Sequence, residues 1–413
     1  MQYGWVLIDG KYYYFDEVTG QMHTNWLNLS GVKYYLGEDG ARKSGFIKYG
    51  DNTYYFDAKT GVMKTGIVKI DGYYYKFNGL GEMQYGWQNE NGVSYFFDEE
   101  GRAKIGWFDF EGDTYYSDSY GKISKGWQTI NGNKYYFDVK SYALQKDWLT
   151  IKGDKYYLGE DGKLNVGWFI NNKSKYHSAA DGKVQKGMTA IGGKYYYFNT
   201  SSGIMENGWI NLKEKWYYFN EEGVRQTGFQ VIDNKTYYLN PSTGVKATGV
   251  QSINKSIYVF NDFGEMLTGW VVFKGNTYCL NDEGKAAIGW LEEGSDIYYF
   301  GTDGKMKTGW VSINSKYYYF DTLSGKMQKG FVKIGGNTFF QGEDGARVTG
   351  WYSIEDDTYY FNPANGVMFT GLKTINNTKY YFNTDGTLAK DTVVEAGKVR
   401  YQADKDGVLT VLK

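Results

Sequence analysis

The chain has little of several things that most functional classes need. It holds one cysteine, Cys279, which excludes an intramolecular disulfide framework. Cys279 stands where most repeats of the chain carry a tyrosine, so it reads as a packed residue rather than a reactive thiol. Only two prolines occur, Pro241 and Pro363, and no Ser/Pro-rich or charge-rich linker marks a boundary, so one continuous domain is expected. The 46 basic and 47 acidic residues are spread evenly, with no basic stripe of the kind a nucleic-acid binder shows. No apolar run approaches the roughly 18 residues of a membrane span. The two histidines, His23 and His177, are isolated, which leaves no Ser-His-Asp or Cys-His site and no histidine metal cluster. Carboxylates recur at one loop position, as in Glu38-Asp39-Gly40 and Glu160-Asp161-Gly162. That is turn chemistry, not the acid and base in distinct environments that a glycosidase needs. The loops also lack the alternating oxygens of calcium loops, and every glycine belongs to the repeat rather than to a phosphate-binding loop. No catalytic residue, cofactor or metal site is expected.

Aromatics are abundant: 43 Tyr, 24 Phe and 13 Trp. They recur with a fixed period. A Gly-Trp-like pair stands at Gly4-Trp5, Asn25-Trp26, Gly45-Phe46 and Gly66-Ile67, and continues to Gly371-Leu372 and a worn copy at Asp391-Thr392. These 20 anchors are separated by 20 or 21 residues throughout. A short fixed period predicts stacked units rather than a closed globule. Tyr, Phe and Gly favour strands and tight turns, where helical repeats would use Leu and Ala. In the first unit Trp5 to Ile8 reads as a strand, Asp9-Gly10 as a two-residue hairpin turn, and Lys11 to Phe15 as the returning strand. The fold class is therefore all-β, a β-solenoid of about 20 stacked hairpins.

Residues two apart on a strand share a face. The first tyrosine of the returning strand (Tyr13, Tyr34, Tyr54 and onward, 19 of 20 being Tyr) should point into the core with the Phe/Leu two residues later. The residue between them, such as Tyr14 or Tyr35, points to the other face. Twelve of the 13 Trp lie in the Gly-Trp column, and nine of the 10 Met lie three residues before that glycine. The methionines read as core packing. The tryptophans read as packing or as half-exposed grooves between units.

The ends differ. Met1-Gln2-Tyr3-Gly4-Trp5 matches Met83-Gln84-Tyr85-Gly86-Trp87, which places Met1 in phase with the methionine column and suggests a fragment of a longer protein. Residues 1–390 are expected to form the array and 391–413 a degenerate capping repeat.

The repeat, as in Gly208-Trp209 through Lys215-Trp216-Tyr217-Tyr218-Phe219 to Thr227-Gly228, resembles the cell-wall-binding (choline-binding) repeat superfamily. Its members include Gram-positive autolysin modules, glucan-binding repeats and the combined repetitive oligopeptides of clostridial toxins. The resemblance implies a hairpin solenoid displayed at a cell surface or on a secreted protein, with ligand sites in grooves between consecutive hairpins. Choline cages in that family join the Gly-Trp tryptophan, a Trp before the Tyr-Tyr pair and an aromatic of the next repeat. Here the second position is aromatic only at Tyr12, Tyr74, Tyr195, Trp216 and Tyr317. Trp209 and Trp216 form the one full tryptophan pair, with Phe229 and Tyr237 offered by the next repeat. The candidate ligand residues are Trp209, Trp216, Tyr237, Trp5, Tyr12, Trp310, Tyr317, Trp87 and Tyr74. The long repeats of the toxin arrays are missing.

The expected function is non-catalytic: binding of surface glycans or cell-wall polymers, choline-decorated ones among them, as the C-terminal targeting or receptor-binding region of a secreted Gram-positive protein. Weak sites in tandem would gain avidity of about 10²–10⁴ on a polymer. Two alternatives stay open, a ligand-free stalk and a choline-binding module.

Overall fold

The computed structural model describes residues 2–412. Met1 lies outside the described residues. The chain packs as two units, the first ending at Glu206 and the second beginning at Asn207. Each contains ten antiparallel hairpins among the described residues. Among the described residues, no helix is long and apolar enough to cross a membrane.

The first hairpin shows the grammar. Strand β1 (Gly4–Ile8) pairs with β2 (Lys11–Phe15), Trp5 opposite Tyr14 and Val6 opposite Tyr13. Asp9 and Gly10 both have positive φ, 45° and 78°, the type I′ geometry whose twist matches the strands. The anchor residue also adopts a left-handed backbone, φ 71° at Gly4. That explains its exceptions. Only Asn25, Asp147 and Asp391 replace glycine there, at φ 61°, 64° and 47°, and Asn and Asp are the side chains that best tolerate this region.

The core lies where the period of two places it. The Phe/Leu column is fully buried at Phe56, Phe137, Phe219, Leu239 and Phe361, and the first-tyrosine column is buried beside it at Tyr54, Tyr135, Tyr237 and Tyr359. Each such phenylalanine contributes about 2–3 kcal/mol by leaving water. A buried side chain in a neighbouring repeat supports the next, so no hairpin stands alone.

Two contacts join successive hairpins. In the methionine column the backbone N–H donates to the carbonyl of the residue before the Tyr-Tyr pair of the preceding hairpin: Arg42 to Tyr12 at 2.8 Å, Met63 to Lys33 at 2.9 Å, Leu144 to Thr114 at 2.8 Å and Lys246 to Trp216 at 2.8 Å. The side chain of this column then crosses the glycine of the following loop. A Cβ on Gly40, Gly81 or Gly284 would overlap the sulfur of Met22, Met63 or Met266. The methionines thus pack between loops instead of into the innermost core, and Met22 stays 44% exposed. In the last repeat the hairpin of Val393–Ala396 and Val399–Ala403 gains a third strand, Leu409–Val411.

Candidate ligand grooves

Every Gly-Trp tryptophan meets the first tyrosine (once phenylalanine) of the following hairpin. The ring centroids are 4.9 Å apart for Trp5–Tyr34 and Trp209–Tyr237, and 5.0 Å for Trp107–Tyr135, Trp290–Tyr318, Trp310–Phe339 and Trp351–Tyr380. The planes are steeply inclined, 65–75° in these six, which is the edge-to-face arrangement that the ring quadrupoles favour. The residue opposite on the same hairpin, most often tyrosine, also packs against the indole, as Tyr116 does for Trp107 at 5.0 Å.

What fills that groove differs. At Trp209 the candidate residues do come together. Lys246 Nζ lies 4.9 Å from the Trp209 ring centroid, 5.4 Å from that of Trp216 and 5.9 Å from that of Tyr237. It also donates to Phe263 O at 2.7 Å. Burial among the rings pulls the Lys246 ammonium below its usual range, while Glu265 opposes that shift. Tyr237, not Phe229, completes this cage. Phe229 packs on Tyr238 and Tyr258 in the next groove. At Trp5 and Tyr12 the Arg42 guanidinium stands 5.9 and 4.4 Å from the centroids and donates to Thr60 O and Lys59 O. At Trp310 and Tyr317, Arg347 stands 5.5 and 4.5 Å away. Sequence reasoning missed these three cations because they belong to the methionine column.

Trp87 and Tyr74 belong to different grooves. Trp87 packs on Phe96 and Tyr115 and is stacked at 6.1 Å by Tyr142. Tyr142 takes a loop glycine's position, at φ 65°. Tyr74 packs with Ile67 and Tyr95 around Ala103. A third group of indoles is covered from its own hairpin: Lys134 over Trp127 at 4.8 Å, Lys155 over Trp148 at 4.1 Å and Lys175 over Trp168 at 4.7 Å.

Among the described residues, no cation stands over Trp26, Trp107, Trp270, Trp290 or Trp351. The last four are exposed. Each of the five rests on a buried phenylalanine (Phe56, Phe137, Phe300, Phe320, Phe382) at 5.7–5.9 Å. The Trp107 groove encloses 400 Å³ between Thr114, Tyr135 and Leu144, with Asp109, Lys146, Asp161 and Lys163 at its rim. The Trp26 groove, 260 Å³, is lined by Lys33, Tyr54 and Glu82. These open grooves offer two ring faces, an aliphatic wall and a hydrogen-bonding rim, the chemistry of a weak site for a sugar face or a small cation.

The remaining reactive residues sit apart from any such chemistry. His177 packs edge-on against Trp168 at 4.9 Å, and burial lowers its pKa. His23 Nε2 lies 4.0 Å from Asp16. Burial raises the pKa of the half-buried Cys279 thiol. Among the described residues, no group of His, Cys, Asp and Glu could hold a metal ion.

Comparison with known proteins follows the same repeats. The choline-binding repeat model matches residues 124–166, 207–248, 287–330, 328–370 and 369–411, just over half of the chain. The putative cell wall binding repeat matches 4–17, 24–41, 44–63, 86–103 and 190–205. No curated protein matches. Among solved structures, choline binding protein F of Streptococcus pneumoniae, crystallised with a peptidoglycan analogue, is 27% identical over 69% of this chain and 98% of its own, with a TM-score of 0.36. The choline-binding domain of CbpL from the same organism is 24% identical over 51% of this chain and 100% of its own, at 0.27. The modular autolysin LytC is 19% identical over 64% of this chain and 52% of its own, at 0.25.

Proposed function

The chain belongs to the choline-binding repeat family, and from that premise we propose that it is a non-catalytic module that holds a protein at a Gram-positive cell surface by gripping a wall polymer at its open aromatic grooves. The observation that carries this reading is the recurrence of one groove. Trp107, Trp290 and Trp351 each present an exposed indole with a tyrosine at 5.0 Å and no internal cation over it. Each such site is weak, since a cation–π contact is worth about 0.5–2 kcal/mol and a sugar stack is of similar size. A polymer with repeated substituents can engage several grooves, and the tandem gain of about 10²–10⁴ then sets the affinity.

Choline-decorated polymer is the first ligand, because family membership and the aromatic walls both favour a quaternary ammonium. The rim at Trp107 favours a second reading, a glycan ligand. Thr114 Oγ1 donates to Asp109 at 2.8 Å, and the neighbouring Lys163–Asp161 pair (2.7 Å) offers donors and acceptors for hydroxyls. Sedimentation with isolated choline-decorated walls decides. Release by free choline supports the first ligand, and release by soluble glycan but not choline supports the second. No retention on walls, choline resin or dextran leaves a spacer with an aromatic core.

A further inference from the structure

Methionine-column side chains lie between loops, and most are apolar. Four are cations: Arg42, Arg225, Lys246 and Arg347. A lone cation set among apolar neighbours is costly unless something compensates the charge. Each of the four stands 30 residues after an aromatic at the position before the Tyr-Tyr pair (12 and 42, 195 and 225, 216 and 246, 317 and 347). Where that earlier position is Thr, Ser, Lys or Ile, the column residue is apolar, as in Thr114 with Leu144, Lys33 with Met63 and Ile297 with Met327. Tyr74 is the aromatic whose column residue, Ala103, is not a cation, and Lys69 of its own hairpin stands 5.4 Å from its ring instead. The backbone bond from the column residue to that earlier carbonyl holds the two side chains adjacent, 2.7 Å at Arg347–Tyr317 and 2.8 Å at Arg42–Tyr12 and Lys246–Trp216. Cation and ring therefore change together within one chain.

We propose that Arg42, Lys246 and Arg347 are built-in ligands that close three aromatic cages to quaternary ammonium groups, confining cation recognition to grooves whose column residue is apolar. The proposal rests on reading the grooves as ligand sites. The three-ring site at Trp209, Trp216 and Tyr237 has the walls to take an ammonium headgroup, and it already holds one, covalently tethered. A free cation would have to displace Lys246 from the rings and from Phe263 O, then sit beside a like charge. Arg42 adds its two bonds to the carbonyls of Thr60 and Lys59, so the same cation also pins the next loop. The richest aromatic sites are thus fasteners, and ligand selection falls to the plainer ones.

The test is a choline titration of the full chain, followed at the indole N–H resonances of Trp209 and Trp216 (assigned by Trp209→Phe and Trp216→Phe). Lys246→Ala empties the cage with a residue native to the column at Ala103 and Ala286. The variant should bind choline at this cage at least about tenfold more tightly than the wild type, the factor worth one good cation–π contact. If Lys246→Ala does not fold, Lys246→Met, carrying the column's commonest residue, is read the same way. A folded variant whose Trp209 and Trp216 resonances stay still overturns the proposal. So does a wild type whose two resonances move with the same midpoint as the variant's. Wall sedimentation of the wild type is separate: its failure sinks the proposed function and leaves the closed cage standing, and the reverse holds for a silent Lys246→Ala.

Discussion

At Trp107 the indole meets Tyr135 at 5.0 Å and 68°, and at Trp209 it meets Tyr237 at 4.9 Å and 66°. The hairpin skeleton delivers the same two rings to both places. Three side chains around them differ. The wall is Thr114 in one and Trp216 in the other, the column residue is Leu144 or Lys246, and the buried floor is Phe137 or Leu239. The first set leaves an exposed groove, and the second builds a cage and fills it. Fold and occupancy are therefore written in separate columns. The anchor glycine, first tyrosine and Phe/Leu set the stack, and the wall and methionine columns decide what each groove holds.

The largest expected effect separates the two grooves by stability. Trp209→Ala removes a ring that Tyr218, Tyr237 and the Lys246 ammonium all touch, so it should cost about 3 kcal/mol. Trp107→Ala removes an indole that is 41% exposed and carries no cation, so about 2 kcal/mol is expected. Urea unfolding of both variants compares them directly. Equal costs, or a larger one at Trp107, would break the distinction between fastener and open groove.

The next experiment moves one groove's contents into the other. Thr114→Trp with Leu144→Lys installs the wall and cation of the Trp209 cage beside Trp107. The double variant should weaken ligand binding at the Trp107 indole by about tenfold, with the two changes coupled by about 1 kcal/mol. Either change alone should do less. A double variant that binds like the wild type would show that the two columns do not govern occupancy.

Much of this was legible in the residues. The hairpin at Gly4–Ile8 and Lys11–Phe15 follows from Asp9-Gly10 between two alternating runs, and the inward Tyr and Phe follow from the period of two. The repeat with Trp209 and Trp216 stood out as the fullest cage. Its occupant did not, because Lys246 lies in a column that methionine dominates and 30 residues beyond the ring it covers. The spacing of Arg42, Arg225, Lys246 and Arg347 against the aromatic walls was the available signal. Trp87 and Tyr74, both candidates from the sequence, lie in different grooves. Tyr74 belongs to the hairpin whose Trp-column residue is Ile67, and proximity in sequence across a repeat boundary is not proximity in a groove.

A smaller effect concerns the floor. Beneath the Trp310 groove the column residue is Gln341, fully buried with both amide atoms unpartnered, where the Trp209 groove has Leu239. Gln341→Leu gives one closed groove the other's floor and removes a desolvated amide. Stability should rise by about 1–2 kcal/mol in urea unfolding, with Arg347 still over Tyr317. A loss of stability would mean that the amide has a partner in solution.

The smallest effect tests what closes a cage. Arg42 and Arg347 do at Tyr12 and Tyr317 what Lys246 does at Trp216, with centroid distances of 4.4, 4.5 and 5.4 Å. Lysine reaches one carbonyl, Phe263 O, and arginine at the equivalent point in the first unit reaches two. Lys246→Arg should therefore keep the cage shut and change stability by less than about 0.5 kcal/mol, with the extra loop contact offsetting the loss of a compact ammonium. Choline titration should leave Trp209 and Trp216 as silent as in the wild type. If Lys246→Arg instead opens the site as Lys246→Ala does, the cage selects an ammonium specifically and arginine at 42 and 347 serves the loops alone. The comparison would then narrow from three closed grooves to one.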